Sequence, residues 1–123
     1  MKEIRLVKTC IGLVSEYSLM CLADRATETA IETNITYEEA LEVLLKLSSK
    51  AIDGWKNIGD KCYFDFNYNY DYFTEYKWAT GTEIIIVYNE NIIVYNLENK
   101  KYYREFRNND VVIKEEIEIW VSI

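Results

Sequence analysis

The chain has 123 residues and is 50% hydrophobic, 15% aromatic and 28% charged, with no Pro, no His and a formal net charge of −7. One domain with one core is expected at this length. The lack of His excludes a Ser-His-Asp triad and a His-ligated zinc site, and the acidic balance disfavours direct nucleic-acid binding, which needs a basic surface.

Residues 3–14, "EIRLVKTCIGLV", are rich in β-branched and apolar types and read as a strand. In residues 16–31, "EYSLMCLADRATETAI", Leu19, Leu22 and Ala26 fit a helical stripe. A strand through Tyr17–Leu22, turning at Val14–Glu16, fits almost as well, and the hairpin is the expectation. The next segment is clearer. Thr36 with Glu39 three residues on forms a capping box, and Tyr37, Ala40, Leu41, Leu44 and Leu47 recur at helical spacing. Glu38, Glu39 and Glu42 lie early and Lys46 and Lys50 late, which suits the helix dipole. Gly54 sits where a helix stops, so the spacing predicts a helix over about 37–52.

After Trp55 the chain reads as a meander: "KCYFDF", "YFTEYKWAT", "EIIIVY", "NIIVYN", "KYYREF" and "VVIKEEIEIWVSI". Polar turn sets separate the runs at 67–71, 81–82, 89–91, 98–100 and 108–110. The expected fold is α+β: one main helix packed on a mostly antiparallel sheet of sequential hairpins, with a β-rich N-terminal extension.

Cys10, Cys21 and Cys62 are odd in number and not closely paired, so they read as small buried hydrophobes in a reducing cytoplasm. No apolar run reaches the length of a membrane span, and Arg5, Lys8 and Glu16 break up any signal peptide. No cofactor or metal is expected. Glu116 and Glu118 share a strand face with Trp120, but two carboxylates at that spacing are common patterning, so no enzyme is expected.

Two stretches suit binding. "YFDFNYNYDYFTEYKW", residues 63–78, is aromatic at nine of its sixteen positions. By alternation Phe64, Phe66, Tyr72, Tyr76 and Trp78 take one face and Asp65, Glu75 and Lys77 face water. Tyr68 and Tyr70 lie in the predicted turn, and with Asp65, Asp71 and Glu75 they form a candidate acidic tip for a protein partner. "NKKYYREFR" interleaves Lys100, Lys101, Arg104 and Arg107 with Tyr102, Tyr103 and Phe106, a pattern that suits a nucleotide-sized anion or a charge-protected strand edge.

Over residues 37–64 the chain resembles the second family of phage Thoeris anti-defence proteins. The resemblance rests on Tyr37, Ala40-Leu41, Gly54-Trp55, Gly59 and Tyr63-Phe64, with Glu118 and Trp120 as a similar ending. Those proteins sequester the cyclic ADP-ribose signal of the host's immunity, with the Trp after the helix stacking the ligand. The resemblance therefore implies a phage or prophage sponge in the host cytoplasm, homo-oligomeric, that binds a cyclic nucleotide without catalysis. Trp55, Trp78, Tyr103, Arg104, Arg107 and Trp120 are the ligand-binding candidates. The second expectation is an acidic inhibitor of anti-CRISPR or antitoxin type that blocks a basic nucleic-acid-binding effector through the 65–75 set.

Overall fold

The computed structural model describes residues 3–78 and 81–119. Trp120 lies outside that range, and so do the side chains of Tyr70, Tyr76, Lys77 and Trp78.

The first predicted strand is two. β1 (Leu6–Thr9) and β2 (Gly12–Ser15) form a hairpin that turns at Cys10 and Ile11, where Thr9 Oγ1 donates to the Gly12 carbonyl and Gly12 takes a positive φ of 108°. The hairpin expected over 16–31 is instead α1 (Glu16–Thr33). Ser15 is its N-cap and accepts from Ser18 N, and Asn34 closes it in the left-handed region at φ 57°. Ser18, Leu22, Arg25, Ala26 and Thr29 are its buried face. Two helices, not one, pack on the sheets.

α2 (Tyr37–Ala51) matches the predicted helix, and Thr36 caps it by accepting from Glu39 N at 3.1 Å. Its Ala40, Val43, Leu44, Leu47 and Ala51 are buried in one cluster with Ile84, Ile86, Ile93 and Tyr95. Each Val, Leu or Ile side chain in it withdrawn from water contributes about 1.5–3 kcal/mol before entropy is counted. Tyr95 donates its hydroxyl to Glu39 Oε2 at 3.2 Å, and burial, helped by the Glu39 charge, pushes its pKa up to about 12.

Two sheets replace the single meander. β3 (Trp55–Ile58) and β4 (Lys61–Phe64) join the first hairpin in the order β1-β2-β4-β3, with β2 and β4 parallel. β5 (Phe73–Trp78), β6 (Gly81–Tyr88), β7 (Asn91–Asn96), β8 (Lys101–Asn108) and β9 (Val111–Ile117) form the antiparallel meander as expected. Gly81 and Thr82 already pair with Trp78 and Lys77, so they belong to β6 rather than to a turn. Asn109 and Asp110 both take positive φ, the two-residue turn whose twist suits a hairpin.

The five-stranded sheet is strongly coiled. Lys114 on β9 reaches both carboxylate oxygens of Glu83 on β6, at 3.1 and 3.2 Å. Those strands are three positions apart, about 14 Å in a flat sheet. The sheet curves toward the face opposite α2, and Ile85 and Val94 on that face are buried.

A short 3₁₀ turn (Tyr70–Tyr72) resets the alternation before β5. Phe73, expected outside the inward set, is therefore buried, and Glu75 turns inward instead of to water. There Arg25 Nη2 holds Glu75 at 2.6 and 2.9 Å and donates to the Phe73 carbonyl at 3.0 Å, while Thr29 Oγ1 donates to Glu75 Oε1 at 2.7 Å. This pair ties α1 to β5.

Breaking a buried ion pair strands the remaining charge, so Glu75→Gln should lower stability by about 3–5 kcal/mol. Arg25→Met combined with Glu75→Gln should cost less than the two single changes added together. Urea denaturation of the three variants measures this coupling.

Candidate functional site

Asp65 lies where β4 leaves its sheet. Gly54 makes that position possible: Asp65 N donates to the Gly54 carbonyl at 2.9 Å, and a Cβ on Gly54 would stand 2.9 Å from both the Asp65 carbonyl and the Phe64 ring. The Asp65 carboxylate accepts from Ser15 Oγ and Ser18 Oγ, and Lys56 Nζ stands 3.2 Å from its other oxygen. Burial alone would raise its pKa, but the hydrogen bonds from Ser15, Lys56 and Ser18 and the Lys56 charge outweigh burial and hold it below the usual value. Ser18 Oγ also accepts from Phe66 N at 3.0 Å. The backbone after β4 is thus fastened along the first turns of α1.

This fastening creates two clefts beside α1. The larger, about 570 Å³, is lined by residues that include Glu3, Arg5, Glu16, Tyr17 and Asp65. The smaller, about 170 Å³, is lined by Cys21, Asp24, Arg25, Glu28 and Tyr68. Tyr68 is half-buried: its ring stacks on Phe73 at 6.1 Å and lies 6.3 Å from Phe66. Arg25 is committed inward to Glu75 and also stands 3.5 Å from Glu28, and Arg5 stands 3.9 Å from Glu16. Five carboxylates line the two clefts: Glu3, Glu16 and Asp65 in the larger, Asp24 and Glu28 in the smaller.

The acidic set read from the sequence therefore divides. Asp65 and Tyr68 line these clefts, and Asp71 is exposed on the 3₁₀ turn. Glu75 is withdrawn into the Arg25 pair, and the Tyr70 side chain is outside the described residues. Sequence reasoning missed the α1 contribution, Glu16, Tyr17, Asp24 and Glu28. Its signal was the Ser15 cap, which a helical reading of 16–31 would have used.

The ligand-binding set is not gathered. Trp55 is 37% exposed on β3, with its ring 5.2 Å from Phe64 and Nε1 donating to the Ser49 carbonyl at 3.3 Å. It lines none of the clefts described in this section. Arg104 and Arg107 take opposite faces of β8 by alternation. Arg104 is half-buried, and Arg107 is exposed and stands 3.3 Å from Glu105. Tyr103 shares the Arg107 face and accepts from Asn99 Nδ2 at 2.8 Å. Beside them is an open cleft of about 350 Å³ lined by Lys100, Lys101, Tyr102 and residues 116–119. Lys101 is paired there with Glu116 at 3.3 Å, and Glu118 adds a second carboxylate. The three cysteines were expected to be buried; Cys10 and Cys21 are half-buried, and Cys62, on the strand next to the edge, is exposed.

No protein-family signature, curated protein or solved structure matches the chain. No helix among the described residues is long and apolar enough to cross a membrane.

Asp65 gives a pH prediction. A carboxylate with a lowered native pKa stabilises the fold above its unfolded value, about 3.9, and that contribution is lost as pH falls through the lower native value. The stability gap between the parent and Asp65→Asn should be widest near neutrality and close below about pH 4. Urea midpoints measured from neutral to acid pH test this.

Proposed function

We propose that the protein is a non-catalytic binder that neutralises a basic, nucleic-acid-binding effector in the cytoplasm of a bacterial host, an inhibitor of the anti-CRISPR or antitoxin type. One observation carries this reading: five carboxylates line the two clefts beside α1, with Glu16, Asp24 and Glu28 from α1 itself, Asp65 from the segment after β4 and Glu3 from the N-terminal segment. Ionised carboxylates on a rigid helix steer a basic partner and repel phosphate. Tyr17 and Tyr68 beside them supply amphipathic contact area at low entropic cost.

A second reading is a sponge for a cyclic nucleotide signal, as the resemblance over 37–64 implies. Two observations favour it: the Lys100–Lys101–Tyr102 cleft, and Arg104 Nε, which is buried with no hydrogen-bond partner among the described residues. Glu116 and Glu118 in that cleft oppose a phosphate, which is why this reading comes second.

Biolayer interferometry against purified basic nuclease and toxin effectors tests the first reading. Association should slow with salt, and it should slow about tenfold or more in the Glu16→Gln, Asp24→Asn, Asp71→Asn variant with the fold intact. Effector binding that ignores both salt and these substitutions contradicts it. A thermal shift with cyclic ADP-ribose, abolished by Arg104→Glu with Arg107→Glu, would establish the second reading in its place.

A further inference from the structure

α1 buries a face made mostly of small and polar side chains and turns large apolar ones outward. Tyr17 is 60% exposed, Met20 62% and Ile31 78%. Residues 17, 20, 24, 27 and 31, Tyr, Met, Asp, Thr and Ile, follow one another at spacings of three, four, three and four. An average step of 3.5 is the seam one helix presents to another. The burial of Ser18, Leu22, Arg25 and Thr29 shows that this seam points away from the body of the protein. Tyr17 and Met20 are neighbours at one end of the seam and Ile31 lies at the other, with Asp24 and Thr27 between them; large apolar side chains gathered on one exposed helix face mark an interaction surface.

Charge selects what covers the seam. The charged residues of α1 are Glu16, Asp24, Arg25, Glu28 and Glu32, and only Arg25, the one cation, is buried. Glu16, Asp24 and Glu28 line the clefts beside the seam, and Glu32 adds a fourth acidic residue at the C-terminal end of the helix. A second copy of this chain does not suit it. Antiparallel pairing centred on the seam would set Asp24 against Asp24 and repeat the acidic flank on both sides. A phosphate backbone or an anionic lipid surface is repelled in the same way.

We infer that the outward seam of α1 docks an amphipathic helix of the partner, one with aliphatic residues at heptad spacing and Lys or Arg beside them. This rests on the reading of the protein as a binder of basic partners. Tyr17, Met20 and Ile31 pack between the partner's aliphatic side chains. Asp24, in the middle of the seam, accepts from a cationic side chain and sets the register, as one polar group in a helical seam does.

The probe is a synthetic helical peptide with Leu at heptad a and d positions and Lys at the flanking ones. Its controls are a version with Glu for Lys and a version of the same composition in shuffled order. Fluorescence anisotropy should show saturable binding of the Lys peptide, none of the Glu peptide, and weak, salt-sensitive binding of the shuffled one. Tyr17→Ser, Met20→Ser, Ile31→Ser should weaken the Lys peptide about tenfold or more while melting like the parent. Ile31→Ser alone, at the most exposed position, should move in the same direction. No saturable binding of the Lys peptide, equal binding of the shuffled peptide, or equal binding by the seam variants would each overturn the inference. In the last two cases acidic steering by Glu16, Asp24 and Glu28 still stands. Equal binding of the Lys and Glu peptides overturns the acidic reading as well.

Discussion

The ion pair between Arg25 and Glu75 fixes how α1 sits. A charge buried without a partner is too costly to keep, so a helix carrying a buried Arg must bring it to a carboxylate. Glu75 on β5 supplies that carboxylate, and Thr29 and the Phe73 carbonyl complete the contacts. Once Arg25 is anchored, the rotation of α1 about its own axis is set. The inner face then holds Ser18, Leu22, Ala26 and Thr29, and the outer face has to carry Tyr17, Met20 and Ile31. The exposed seam and the acidic clefts beside it follow from this anchor and from the Asp65 fastening to Ser15 and Ser18.

α2 was legible in the sequence because its cap, dipole and apolar stripe all agree, and the hairpins from β5 to β9 because polar turn sets punctuate β-branched runs. α1 was not. Its inward face sets Leu22 among Ser18, Arg25, Ala26 and Thr29, while Tyr17, Met20 and Ile31 point outward, so the short Leu19, Leu22, Ala26 stripe did not separate helix from strand over 16–31. Glu75 looked solvent-facing because its partner Arg25 is 50 residues away in the chain and the 3₁₀ turn before β5 shifts the alternation by one. The basic run at 100–107 was read as one cluster, but a strand divides such a cluster between its two faces, and Arg104 and Arg107 are divided in this way. Asp65 and Tyr68, singled out in the sequence, line the clefts beside α1, and their polar and ring contacts are partly structural. Gly54-Trp55, the centre of the family resemblance, has a packing reason here: Gly54 lets the chain pass against Phe64 and Asp65, and Trp55 covers Phe64 from the edge strand.

The functional account depends on which surface a partner covers. Hydroxyl-radical footprinting reads this directly, because Tyr17 and Met20 are both readily oxidised and well exposed. The measurement compares oxidation rates of the free protein with those in the presence of the Lys-flanked helical peptide at saturation. The account predicts that Tyr17, Met20 and Ile31 become protected while Tyr102, Tyr103 and Phe106 on β8 keep their free rates. Protection on β8 with unchanged rates on α1 would contradict it.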